Sequence, residues 1–271
     1  MFPKTIAIPI FCFLSFVGFS QPSPNKKITQ PVLGHRSAAI LTVNGLQFKD
    51  LNRNGKLDKY EDWRLSNDER SKDLLSKMSL EDKVGFMLIS TSRLKSERSA
   101  QLNVQTDNTI IPSSDFNEED QVSTNNIFTR KPLPVPLMSA VGATKAITQF
   151  HLRHFIFRAN VSARLTAEWT NKLQALAESD GLGIPAIIAS NPRNHITKDA
   201  SIGLSVGTTM FSTWPSELGL SAMRDLKLTR TFADIARQEW AAVGLRKGYM
   251  YMSMDLDRYP QILVSLTATQ T

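Results

Sequence analysis

The most specific chemistry in this 271-residue chain sits in a dozen residues near its front. Asp50-Leu-Asn-Arg-Asn-Gly-Lys-Leu-Asp-Lys-Tyr-Glu61 matches the pattern D-x-[DN]-x-[DN]-G-x5-E at every specified position. Calcium takes about six to eight oxygen ligands at about 2.3–2.6 Å, delivered by an EF-hand loop from its odd positions and its last residue. Here those donors are Asp50, Asn52, Asn54, the backbone carbonyl of Lys56, Asp58 and Glu61, the last reaching with both carboxylate oxygens. Gly55 supplies the sharp turn in mid-loop, and Leu57 is the apolar residue that packs inward. A solvated turn rich in Asn and Asp would not need Gly55, Leu57 and Glu61 together. Calcium is therefore the expected cofactor. The motif occurs once, and a β-like run precedes it where a helix would precede a sensor loop, so a structural clamp is expected.

Several elements must hold such a loop and whatever lies beyond it. Ile40 to Gly45 is a short β-like run ending at a turn. Asn67 to Met78 reads as a charged amphipathic helix. Ser79-Leu-Glu-Asp82 is a capping box in which Ser79 caps the next helix and Asp82 answers three residues later. Val84 to Ser90 fits either the end of that helix or a first buried strand. Residues 91–133 are polar and weakly periodic, which predicts a long surface insertion. Further on, Phe155 to Asn160 reads as a strand and Arg164 to Ser179 as a helix, with Leu165, Trp169, Leu173 and Leu176 on one face. Ala186 to Ser190 is a short apolar strand; Glu217 to Arg224 and Thr229 to Val243 are helices; Tyr249 to Met252 is a last strand. Strand and helix in alternation imply βαβ units on a parallel sheet.

Residues 1–20 read as an export signal: Lys4 is the basic start, Ile6 to Phe19 the apolar core, and Gly18 and Ser20 the small residues before cleavage. The core is short against about 30 Å of hydrocarbon, which disfavours an anchor. The location implied is secreted or periplasmic, with no membrane partner once the signal is removed. The single cysteine, Cys12, lies in that segment, leaving the mature chain without disulfides. Residues 21–39, with Pro22, Pro24 and Pro31, form a flexible leader. The net charge of +7 is scattered, with no run of five basic residues and no interleaved aromatics, so a nucleic-acid partner is not expected.

Four segments in order carry a family resemblance: Gly183-Ile-Pro-Ala-Ile-Ile-Ala-Ser-Asn-Pro-Arg-Asn-His195, Phe211-Ser-Thr-Trp-Pro-Ser-Glu-Leu-Gly-Leu220, Ala233 to Gly244, and Gly248-Tyr-Met-Tyr-Met252. Together they resemble family 3 glycoside hydrolases of the β-glucosidase kind, from about Leu41 to Met252 and including the calcium leader. The resemblance implies an α/β fold, the incomplete N-terminal portion of a (β/α)8 TIM-type barrel preceded by an EF-hand-like segment. The organisation expected is 40–65 for the calcium segment, 66–252 for the partial barrel and 253–271 for a divergent tail. It also implies that Asn191, Arg193 and His195 bind substrate on the loop after the Ala186–Ser190 strand. Asn191 replaces an Asp found in many relatives, and Arg193 and His195 could equally brace the loop. The partner implied is a β-linked oligosaccharide or glucoside.

No catalytic residue is assigned. A retaining glycosidase needs two carboxyl groups about 5–5.5 Å apart, and the family's Ser-Asp-Trp nucleophile segment, Lys-His pair and Arg-Trp pair are all absent from the sequence. Ser179-Asp180 is followed by Gly181, and Asp62-Trp63 belongs to the calcium segment. The expectation is a secreted β-glucosidase-type chain, C-terminally truncated and without turnover of its own. The alternatives are a non-catalytic carbohydrate-binding relic and a calcium-dependent interaction module.

Overall fold

A computed structural model describes residues 28–95, 113–126, 129–159, 161–190, 192–195, 204–205 and 211–248. The expected signal, the strand Tyr249 to Met252 and the 253–271 tail lie outside the described residues. The chain divides into a leading unit through Val32 and a compact unit from Leu33 onward.

The compact unit opens on a hairpin, β1 (Ala39–Val43) and β2 (Leu46–Asp50), paired antiparallel with Val43 opposite Leu46. Asn44 and Gly45 both take positive φ, 51° and 76°, the two-residue turn whose twist suits a hairpin. The sequence reading found only the first strand; Leu46 to Asp50 is the missed return strand. Asp50 thus ends β2 and begins the acidic loop. Two capping boxes then start α1 (Asn67–Lys77) at Ser66 and α2 (Leu80–Met87) at Ser79, the second as expected. The ambiguous Val84 to Ser90 resolves into both alternatives, since α2 ends at Met87 and β3 (Ile89–Ser92) follows.

Part of the stretch expected as a polar insertion is structured. Leu94 is fully buried and bridges Phe116, and β4 (Gln121–Asn125) pairs antiparallel with β5 (Pro132–Ala140). After α3 (Ala143–Thr148) come β6 (His154–Phe157), α4 (Ala163–Ser179), β7 (Ile187–Ser190), β8 (Pro192–Arg193) and β9 (Leu204–Ser205). Then α5 (Glu217–Ala222), α6 (Leu226–Ala242) and β10 (Lys247–Gly248) complete the described elements.

Strands β3, β6, β7 and β10 lie side by side in that order, every pair parallel. Helices fall between them in sequence, which makes this an α/β fold of successive crossover units. Among the described residues the sheet is open at β3 and β10 and does not close into a barrel. Alternation along β6 sends Phe155 and Phe157 into the core, where they meet Trp169 and Leu173 of α4, Ile188 of β7 and Trp240 of α6. Each such side chain contributes about 1.5–3 kcal/mol on burial. Trp169 and Leu173, expected on one helix face, are fully buried, while Leu165 and Leu176 flank them half-buried.

Arg153, 3% exposed, braces the entry to the sheet. Its guanidinium donates to the carbonyls of Ile147, Leu152 and Ile184 and to Asp180 Oδ2 at 2.7 Å. Among the described residues no helix is long and apolar enough to cross a membrane.

Candidate functional site

The Asp50–Glu61 loop is wound on its own acidic side chains. Asp50 Oδ1 accepts from Asn54 N and Oδ2 from Gly55 N, at 3.1 and 2.9 Å, with Gly55 at φ 71°. Asn52 Oδ1 accepts from Asn54 N, and Asn54 Oδ1 from Lys56 N. Glu61 closes the loop from its far end. One carboxylate oxygen accepts from Leu51 N at 2.7 Å and Asn52 N at 3.3 Å, the other from Asp58 N at 2.9 Å.

Asp58 is different, because its donors are amides and an ammonium. Asn52 Nδ2 and Asn54 Nδ2 donate to Oδ2 at 2.6 and 2.7 Å, and Lys77 Nζ of α1 donates to Oδ1 at 2.9 Å. Burial alone would raise the Asp58 carboxyl, but these bonds from Lys77, Asn52 and Asn54 outweigh it and hold it below the usual carboxylate value. In the Tyr60 hydroxyl, burial and then the Glu61 charge push the value up, and the group stays a neutral donor to the Leu182 carbonyl.

Among the described residues no three His, Cys, Asp or Glu side chains converge to hold an ion. The donor set nonetheless suits a hard cation, since Asp50, Asn52, Asn54, Lys56, Asp58 and Glu61 offer only oxygens. Asp50 and Glu61 are each 4% exposed, and no cationic side chain is bonded to either among the described residues. Two buried carboxylates held by backbone N–H groups and by no direct cationic partner remain costly. A cation at this place would remove that cost.

The loop is fastened to the α/β core. Arg53 donates to the Glu178 carbonyl at the end of α4, at 2.9 Å. Glu178 in turn accepts from the N–H groups of Arg36 and Ser37 at 2.6 and 2.9 Å. A Cβ on Gly183 would lie 2.9 Å from the Cβ and carbonyl oxygen of Leu51, so loop and turn are in direct contact. Next to the loop, Trp63 donates to Gln47 O and stacks on Phe48, while Arg64 lies over the Phe48 ring, 4.8 Å from its centre, and bonds Asp62. A groove of about 240 Å³ lies between the loop, α1 and the turn before β7, lined by Leu51, Tyr60, Leu74, Leu182 and Pro185. Its lining residues Leu182 and Pro185 lie just before β7 in the chain.

Parallel register puts the C-terminal ends of β6, β7 and β10 on one edge, with Gly248 opposite Ser190. Ser190, fully buried, donates to Phe157 O at 2.6 Å and ties two of those ends together. Of the residues expected to bind substrate, Asn191 lies outside the described residues. Arg193 ends β8, opposite Ser205 of β9, and His195 is exposed just after it.

A polar network that sequence reading missed runs behind them. Asn194, 5% exposed, donates from Nδ2 to Ser212 O at 3.2 Å, and its backbone carbonyl accepts from Trp214 N at 2.9 Å. Ser212 N and Oγ donate to Glu239 Oε1 of α6 at 2.9 and 2.5 Å. Asn194 Oδ1 and Glu239 Oε2 are buried with no hydrogen-bond partner among the described residues. These contacts join positions far apart in the chain, so no local pattern announces them. A carboxylate on the last turns of a helix otherwise rich in core residues was the one available hint.

Three relatives give the arrangement its context. A periplasmic beta-glucosidase/beta-xylosidase from Dickeya chrysanthemi is 38% identical over 219 residues, covering 80% of this chain and 28% of that protein. Beta-glucosidase C from Emericella nidulans is 32% identical over 213 residues, 78% of this chain and 28% of the relative. A probable beta-glucosidase C from Aspergillus oryzae is 30% identical over 210 residues, 77% and 27% respectively. No family model matches the chain. The chain spans little more than a quarter of the length of the curated relatives it matches. Across nearly four-fifths of its own residues, it is thus related to the family 3 glycoside hydrolases of the β-glucosidase kind.

Proposed function

We propose that this chain provides the calcium-clamped leader and first βα units of an exported glycoside hydrolase acting on β-glucosides. In this reading the chain binds the sugar without hydrolysing it. The 38% identity over 219 residues to a beta-glucosidase/beta-xylosidase is the observation that carries this reading. The sequential parallel strands support it, because ligands of parallel α/β sheets bind at the carboxyl ends of the strands. Asn191, Arg193 and His195 follow β7 at such an end and would meet sugar hydroxyls there. The network through Asn194, Ser212 and Glu239 would hold that loop in place. No pair of carboxylates in the chain is assigned as nucleophile and acid/base, so turnover is not expected.

Calcium at Asp50, Asn52, Asn54, the Lys56 carbonyl, Asp58 and Glu61 would neutralise the buried carboxylates of the loop. Arg53, Tyr60 and Leu51 then tie the loop to the end of α4 and to the turn leading into β7. Export to the periplasm or beyond would place the loop where calcium is plentiful. The test is titration calorimetry of the chain from Gln21 with cellobiose. Saturable binding weakened at least about tenfold in the double variant Arg193→Ala/His195→Ala is expected. Equal binding by wild type and variant, or none by wild type, would contradict the assignment of the loop.

A further inference from the structure

The Lys77 ammonium occupies the third loop carboxylate from outside the loop. It comes from the last turn of α1, nineteen positions after Asp58, and donates to Asp58 Oδ1 at 2.9 Å. The same nitrogen lies 3.9 Å from Asp73 Oδ2, one helical turn back. Asp73 itself accepts from Tyr60 N at 3.0 Å, so its carboxylate is held beside the loop. Asp58 is therefore ringed by three donors, Lys77 and the amides of Asn52 and Asn54, in the role a metal would take. Asp50 and Glu61, by contrast, accept from backbone N–H groups and make no ion pair among the described residues.

We propose that Lys77 is a tethered counter-cation for the Asp50–Glu61 loop, which calcium displaces from Asp58 and which Asp73 then receives. The inference rests on the calcium reading of the loop. An ammonium and a divalent cation compete for the same carboxylate because both want its lone pairs and only one can lie along a given direction. Coordination by the Asn52 and Asn54 amide oxygens would compete with the bonds that their Nδ2 groups donate to Asp58 Oδ2. Lys77 thereby lowers calcium affinity while keeping the loop closed when calcium is scarce. Because α1 carries both Asp73 and Lys77, the exchange shifts charge along that helix without moving Tyr60.

The experiment is calcium titration by calorimetry on the chain from Gln21, with four variants and a chemical footprint. Lys77→Met is expected to tighten calcium binding about fivefold, the size of one partly exposed ion pair. Lys77→Gln should do the same. Lys59→Met removes an equal charge from within the loop at a position that supplies no ligand, and is expected to change affinity less than about twofold. Glu61→Gln should abolish binding. In the wild type, acylation of Lys77 measured by mass spectrometry should rise on adding calcium, while Lys72, paired with Asp68 on the same helix, stays constant. Equal tightening by Lys77→Met and Lys59→Met, or unchanged Lys77 acylation, would overturn the inference and leave the calcium reading standing. Absence of calcium binding in wild type and both Lys77 variants would overturn both together.

Discussion

Glu178 shows how much one side chain can join. Its carboxylate accepts from the N–H groups of Arg36 and Ser37 and pairs with Lys49, while its carbonyl takes Arg53 from the acidic loop. Burial raises the Glu178 carboxyl, but those N–H bonds and Lys49 outweigh it and hold the value below its ordinary 4.5. A depressed folded value contributes stability that is present above the ordinary value and is lost as pH falls through the folded one. Stability should therefore drop as pH falls below about 4.5, and Glu178→Gln should flatten that drop while costing about 1 kcal/mol at neutral pH. Urea denaturation at a series of pH values checks this; an unchanged acid slope in the variant would contradict it. The residues of the acidic loop were legible because twelve consecutive positions carry the pattern. Glu178, Arg53 and Lys77 were not, since their partners are set by folding and not by spacing.

At the scale of elements, Gly244 marks where α6 ends and the chain turns toward β10. It takes φ 85°, and a Cβ there would lie 2.4 Å from Thr170 Oγ1 of α4. That hydroxyl donates to Val243 O at 2.7 Å, so it cannot swing away freely. Gly244→Ala should cost about 2–3 kcal/mol through left-handed strain and the contact together. Thermal unfolding would read it, and a change below about 0.5 kcal/mol would mean the turn adapts. Gly244 was readable as a helix end from sequence alone, as were α1, α2, α4 and α6, because caps and a period of 3.6 are local signals. The return strand Leu46–Asp50 was hidden inside the approach to the acidic loop. The β4–β5 ribbon was hidden by polar, proline-rich composition, its pairing fixed instead by contacts such as Ser139 to Gln121 O. Substrate-loop residues were placed in sequence by family likeness, whereas Asn194, Ser212 and Glu239 emerge only once α6 packs against the loop after β8.

Among the described residues four parallel strands form a sheet with open edges and an apolar rim on the β3 side. Leu80, Val84, Met87, Leu88 and Ile89 are all more than half exposed there. Surfaces of this kind invite association, and a calcium-filled loop would act on the opposite side of the balance by stiffening the segment that precedes α1. On the proposed reading the chain carries a calcium clamp and a sugar-binding loop, and hydrolysis by the chain alone is not expected. The most direct measurement is release of nitrophenol from a nitrophenyl β-glucoside by the purified chain from Gln21, with calcium and with a chelator. No release above the uncatalysed rate under either condition is the predicted result. Turnover that the chelator abolishes would contradict it, and would mean that a complete pair of catalytic carboxylates lies within these residues.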